Sequence, residues 1–219
     1  MMMEMNRNAL ESLIQGGQSA FSECNFTDAD LSGLDLSGVE FSKCTMTKTE
    51  LHRTVLCDSV WIACSGTGAS LRGADCSEAK FSRCNLANTN WRGARLSSAL
   101  FEDCKLTGAN FDEARLLGIQ FERCLLVSTV LRGISFRKCK LNGLDFSDAD
   151  LGGADFRDAV LEDCRLRHAS LKAAQFRNAD LRGCDLGSIN LNDAQALRGA
   201  IISKSQATEL LGNFEIQVI

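Results

Sequence analysis

Ala29-Asp30-Leu31-Ser32-Gly33 runs straight into Leu34-Asp35-Leu36-Ser37-Gly38, and Ala149-Asp150-Leu151-Gly152-Gly153 repeats the same phrase far downstream. Each phrase has a large apolar residue at its third place and a small or aliphatic one two before it. Counting outward in fives from Phe21 to Ile201, 34 of 37 residues are Phe, Leu, Met, Trp or Ile, the exceptions being Gly66, Cys76 and Ala196. Two residues before each, from Ser19 to Gly199, 31 of 37 are Ala, Cys, Ser, Thr or Val; the others are Leu34, Ile119, Ile134, Leu144, Ile189 and Gly199. Neither set contains an Asp, Glu, Lys or Arg, in a chain that is 24% charged. Both positions therefore point inward. A period of five fits neither a helix of 3.6 nor a strand of two, so the backbone turns a corner in every repeat.

A longer period sets the cross-section. Cysteine recurs at 24, 44, 64, 84, 104 and 124 and, after Leu144, at 164 and 184, so twenty residues make one four-sided coil. Phe21, Phe41, Trp61, Phe81, Phe101 and Phe121 form a second ladder with the same step. The expected fold is an all-β solenoid, a parallel β-helix of about nine coils at the usual strand spacing. The register is expected to run unbroken from 19 to 201. Gly33, Gly38, Gly73, Gly93, Gly108, Gly133, Gly143 and Gly153 all stand two after a large residue, where glycine suits a tight corner. Three segments follow: an N-terminal cap over 1–18, the repeat over 19–202, and a C-terminal capping and dimerisation segment over 203–219.

At the front, Asn8-Ala9-Leu10-Glu11 reads as a capping box, with Leu10, Leu13 and Ile14 free to cover the first coil. At the end, Ser203-Lys204-Ser205-Gln206 is another, Gly212 is placed to stop the helix, and Phe214 to Ile219 alternate like a strand. The start carries no uninterrupted apolar run of signal-peptide length and no segment approaches a membrane span, so a cytoplasmic protein with no membrane role is expected. Eleven cysteines are then expected to be reduced.

The repeat phrases, with Ala109-Asn110-Phe111-Asp112-Glu113, resemble the A(D/N)LXX unit of the pentapeptide repeat family. That resemblance implies a right-handed quadrilateral β-helix. The run Gln206-Ala207-Thr208-x-Leu210 with Phe214-x-Ile216-x-Val218-Ile219 is similar to the tail of the Qnr/MfpA quinolone-resistance proteins. It implies a homodimer through Leu210, Leu211, Phe214, Ile216 and Val218, and a DNA-mimicking protein that binds DNA gyrase or topoisomerase IV and protects it from quinolones. A plain helical cap is the other reading of the same tail. The unbroken register leaves no room for the projecting loops of many Qnr proteins, and a net charge of −4 is modest for a DNA mimic.

Acids gather in the slot just before the large residue and bases in the slot just after. Asp145, Asp150, Asp155, Asp180 and Asp185 are the candidate partner-binding acids, set against the alternative that they serve solubility and turn bonding. An acidic total and the lack of outward aromatics argue against direct nucleic-acid binding. Leu117, Leu125, Val127 and Val130 in outward slots form a possible apolar contact, with Leu100 and Val160 in another row. His52 and His168 lie far apart, so no Ser/His/Asp or Cys/His assembly is expected. The inward thiols suit packing better than metal. No enzyme activity and no cofactor is expected. The second functional reading is a non-catalytic scaffold or effector-type solenoid binding some other protein.

Overall fold

The hydrogen-bond ladder advances in steps of twenty residues. In the computed structural model Asn25 bridges Thr45, Thr45 bridges Ser65, Ser65 bridges Asn85 and Asn85 bridges Lys105, all parallel. The same step relates Asp30 to Glu50 and Asp35 to Val55 on neighbouring sides. The chain is a parallel β-solenoid of about nine turns with a short helix towards each end. It divides into two compact units, Met1–Leu125 and Leu126–Ile219, and the structure describes residues 2–187, 194–213 and 215–216.

The first unit begins with β1 (Met3–Glu4) and α1 (Arg7–Gln15). Next come β2 (Ala20–Ser22), β3 (Cys24–Asn25), β4 (Glu40–Ser42), β5 (Val60–Ile62), β6 (Lys80–Ser82), β7 (Leu100–Glu102) and β8 (Gln120–Glu122). Strands β2, β4, β5, β6, β7 and β8 make one parallel sheet in which Phe21, Phe41, Trp61, Phe81, Phe101 and Phe121 oppose one another in turn. The other three sides are held by single bridges, since a five-residue repeat leaves little straight backbone between corners. Inside, the Phe81 and Phe101 rings stack 4.7 Å apart at 7°, while Trp91 meets them edge-on at 5.5 and 5.6 Å. Both arrangements are favoured by the ring quadrupole.

Corners repeat with a strict backbone rule. Every residue two after a large inward one, from Glu23 to Asn178, has a positive φ, whether or not it is glycine. The left-handed residue swings the chain, and the side-chained ones adopt it at some steric expense. At three corners of a coil the next N–H closes a turn on the carbonyl three back, as in Ala29 to Phe26, Leu34 to Leu31 and Val39 to Leu36. The fourth corner is the cysteine corner. There, from Cys44 on, each thiol sits against a carbonyl of the coil before: Cys44 Sγ is 3.4 Å from Phe21 O, Cys64 Sγ 3.3 Å from Phe41 O and Cys104 Sγ 3.3 Å from Phe81 O. The cysteine ladder is thus a row of small, weakly donating core residues.

The second unit holds β9 (Lys140–Asn142), β10 (Val160–Arg165), β11 (Asp180–Asp185) and α2 (Lys204–Gly212). Its sheet runs β9-β10-β11, and the Phe156 and Phe176 rings stack 4.6 Å apart at 5°. Leu144, buried, fills the slot that cysteine holds elsewhere, and Cys164 and Cys184 resume the row.

Four expectations change. The register does not run unbroken to 201: Asp180 bridges Ile201, a step of 21 rather than twenty, so one residue has been added to the last coil. That slip carries Ile201 out of the large inward slot and leaves it 48% exposed. Helix α1 is capped two residues earlier than expected, by Asn6, whose Oδ1 accepts the Ala9 N–H at 3.0 Å, and Leu10 seals the core. Strand β1, pairing with β3, was not foreseen. At the far end Ser203 and Gln206 form the expected capping box, but Gly212 is the last residue of α2 and not its stop. Glu215 has φ 59; its N–H donates to Gly212 O and the Ile216 N–H to Leu211 O, which is a Schellman close. Glu215 and Ile216 are therefore a helix terminus and not strand, and Phe214, Gln217, Val218 and Ile219 lie outside the described residues. No helix among the described residues is long and apolar enough to cross a membrane.

Candidate interaction surfaces

Asp145, Asp150, Asp155, Asp180 and Asp185, the candidate partner-binding acids, all belong to the second unit. The structure spreads them over all four sides: Asp145 and Asp185 flank Arg165 on one, and Asp150, Asp155 and Asp180 occupy the others. Each accepts the N–H of the residue two on, Ser147, Gly152, Arg157, Arg182 and Gly187 respectively for Asp145, Asp150, Asp155, Asp180 and Asp185. Each also faces an arginine. Asp145 is 3.3 Å from Arg165, Asp150 2.6 Å from Arg132, Asp155 2.7 Å from Arg157, Asp180 2.6 Å from Arg182 and Asp185 2.5 Å from Arg167. Hydrogen bonds from Arg157 and Arg182 hold the Asp155 and Asp180 carboxyls below the usual carboxylate range. For Asp145 burial pushes the other way and is outweighed by bonds from Ser147 and Arg165. Short side chains in this slot bond the turn that follows, which explains why the acids sit there.

The apolar candidates belong to different units. In the first, Leu117 is 82% exposed and Leu125 43%. In the second, Val127 and Val130 are half-buried and Val160 is exposed. Of the tail residues, Leu210 is half-buried, Leu211 and Ile216 are exposed, and Phe214 and Val218 fall outside the described set. Gln206 anchors α2 from below: its Nε2 donates to Leu181 O and Cys184 O, 2.7 Å each, and its Oε1 accepts the Ser203 N–H.

Sequence reading missed a basic corner on the first unit. His52, Arg53, Arg72, Gly73, Arg92 and Glu113 line a cleft of about 550 Å³. Arg92 is tied to Glu113 at 2.6 Å, whereas Arg53 and Arg72 make no ion pair with a described residue. The signal was available, because 52, 72 and 92 are one coil apart in the slot after the large residue.

One histidine does lie beside a hydroxyl and a carboxylate. His52 Nε2 is 2.5 Å from Ser70 Oγ and 2.8 Å from Glu50 Oε2, since Glu50 and Ser70 are ladder neighbours. Both partners address the same ring nitrogen. A hydroxyl-activating base needs its acid on the other one, so this trio is a surface cluster of one hydrogen bond, His52 to Ser70, and one close charge contact, His52 to Glu50. Among the described residues no group of three His, Cys, Asp or Glu side chains is arranged to hold a metal. Burial raises the Cys57, Cys76 and Cys139 thiols, the opposite of what a nucleophilic cysteine requires.

Comparison with known proteins agrees with this geometry. A family model described as a pentapeptide repeat region matches residues 17–91, 74–145, 94–163 and 134–210. No curated protein matches the chain. Among solved structures, HetL, a pentapeptide repeat protein involved in heterocyst differentiation regulation in the cyanobacterium Nostoc, is 25% identical with a TM-score of 0.71, covering 91% of this chain and 98% of its own. Full-length QnrB1, a plasmid-mediated fluoroquinolone resistance protein, is 17% identical with a TM-score of 0.66, covering 90% of this chain and 100% of its own. A trypsin-treated QnrB1 variant is 22% identical with a TM-score of 0.60, covering 91% and 87%.

Proposed function

This chain belongs to the pentapeptide repeat family, and on that premise we propose that it is a non-catalytic protein-binding solenoid. One observation carries the reading. The candidate aspartates of the outward slots are used up in turns and arginine pairs, whereas large apolar side chains stand open: Leu117 and Leu125 on the first unit, Ile201, Leu211 and Ile216 on the second. Exposed apolar groups on a rigid backbone are contact points in search of a cover. The tail set, Leu210, Leu211 and Ile216 with Phe214 and Val218, is assigned to a second copy of the chain. Sedimentation should give a dimer that becomes a monomer in Leu211→Asp, with Leu117→Asp leaving it unchanged; a monomeric parent chain would remove this part of the proposal.

A narrower reading makes the partner DNA gyrase or topoisomerase IV, protected from quinolones. Its support is the tail resemblance, in which α2 and its capping box occupy the expected place, and the acids Asp145, Asp150, Asp155, Asp180 and Asp185. Weighing against it, each of those acids carries its own arginine, so the surface offers alternating charge where a DNA mimic would offer rows of one sign. Purified protein added to a gyrase supercoiling reaction containing ciprofloxacin decides the matter. Restored supercoiling would establish the narrower reading, and no rescue and no gyrase binding over a wide concentration range would leave the partner to be found elsewhere.

A further inference from the structure

We propose that the basic corner of the first unit is a binding site for a phosphomonoester group. Three guanidiniums and an imidazole, from Arg53, Arg72, Arg92 and His52, line one cleft of about 550 Å³, room for a small phosphorylated molecule and more than a bare ion needs. Successive rungs of a parallel sheet lie about 4.8 Å apart, and Arg53, Arg72 and Arg92 rise from three consecutive coils. Like charges at that spacing repel unless an anion lies among them. Arg92 already has one in Glu113, which holds its guanidinium by Nε and Nη2 at 3.1 and 2.6 Å. Arg53 and Arg72 make no ion pair with a described residue, and Glu113 reaches Arg72 only as a nearby charge.

Gly73 lines the cleft beside Arg53. It occupies the corner slot with φ 65, and a Cβ built there would stand 3.6 Å from Arg53 Cγ. His52 is fixed at one side by Ser70 and Glu50. Glu113 closes the other side, and its carboxylate, held low by Arg92 and by the nearby charge of Arg72, stays ionised. A negative stop at one end admits a single dianionic group and repels a continuing chain of phosphates, so the ligand is a monoester and not a nucleic acid. Planar guanidinium forks from two sides suit the three terminal oxygens of such a group.

Arginine Nε–H NMR resonances of the full chain, followed at constant ionic strength during titration with phenyl phosphate, test the assignment. Arg53 and Arg72 are expected to shift saturably while Arg177 does not. Arg72→Gln should weaken binding at least about tenfold, the loss of a charge-assisted hydrogen bond. Glu113→Gln frees Arg92 and should strengthen it about two- to fivefold. Equal shifts when sodium chloride replaces phenyl phosphate, binding unchanged in Arg72→Gln, or binding weakened in a folded Glu113→Gln would overturn the proposal. Saturable binding of inorganic phosphate with phenyl phosphate excluded would overturn the monoester assignment.

Discussion

The indole N–H of Trp91 donates to Thr89 Oγ1 at 2.7 Å, and both residues are buried. The hydroxyl in turn donates to Leu86 O at 2.7 Å, so a tryptophan is admitted to an otherwise apolar core by a threonine two residues before it. Ser59 does the same for Trp61. Thr89→Val strands the indole N–H and should destabilise the chain by about 1–3 kcal/mol. Trp91→Phe made in that background should cost less than Trp91→Phe alone, as urea midpoints would show. Additivity within about 0.5 kcal/mol would mean that the bond contributes nothing.

Left-handed corners are strained wherever they carry a side chain. Ala63 has φ 53, and Ala63→Gly should raise stability by about 0.5–1 kcal/mol, the steric relief exceeding the added freedom of the unfolded chain. Gly33→Ala is the converse. With φ 71 and nothing within 4 Å of the new Cβ, backbone strain is introduced without a clash, and after the smaller freedom of the unfolded chain is set against it the thermal midpoint should fall by the equivalent of about 0.5–1 kcal/mol. Equal midpoints in the two variants would contradict the corner rule.

Acid should weaken the fold through its aspartate turns. The Ser37 hydroxyl and N–H hold the Asp35 carboxyl below the usual range, and Arg157 and Arg182 do so for Asp155 and Asp180. A carboxyl whose folded pKa is depressed contributes fully above its unfolded value of about 4. That contribution is lost as pH falls through the folded pKa. Asp35→Asn keeps an acceptor for the Ser37 N–H and cannot titrate, so its stability should fall less steeply below pH 4 than the parent's. Asp155→Asn should change stability at neutral pH by less than about 1 kcal/mol, because Asn keeps an acceptor for the Arg157 N–H and a solvent-touching ion pair between near neighbours contributes little.

Gln206 closes the end of the second unit, and Gln206→Ala should leave the Leu181 and Cys184 carbonyls without that donor. Amide exchange within α2 should then quicken by roughly two orders of magnitude, about 1–3 kcal/mol of local stability. Exchange in β4 to β7 should be unaffected, since each coil rests on its neighbours alone. Protection lost evenly throughout would show that α2 is not a local plug.

The fold was legible because its rule is stated about nine times over in residues that bear no charge and cannot be anywhere but inside. Phe21, Phe41 and Trp61 fall opposite one another as counted. The failures came where the repeat ends. Ala196 and Gly199 broke the pattern, yet a one-residue slip costs a four-sided coil little and is visible only once Asp180 is paired with Ile201. At the tail, alternating apolar residues suggested a strand, and the left-handed Glu215 shows a helix terminus at that point. The outward surface was less legible still. Charges placed by turn chemistry and charges placed for a partner occupy the same slots, and only the observed pairs, Asp145 with Arg165 and Arg92 with Glu113, separate the committed side chains from Arg53 and Arg72.

The twenty-residue step also bears on descent. Copying any twenty consecutive residues between Phe26 and Leu106 into the same unit returns every side chain to the slot it held before. Such a chain can lengthen or shorten by whole coils through simple genetic duplication or loss, with no core to redesign. The shifted turn that brings Ile201 beside Asp180 has no such freedom. A twenty-residue copy that spans that step does not return each side chain to its slot, so duplication by whole coils holds along the body of the first unit and not across the step from Asp180 to Ile201.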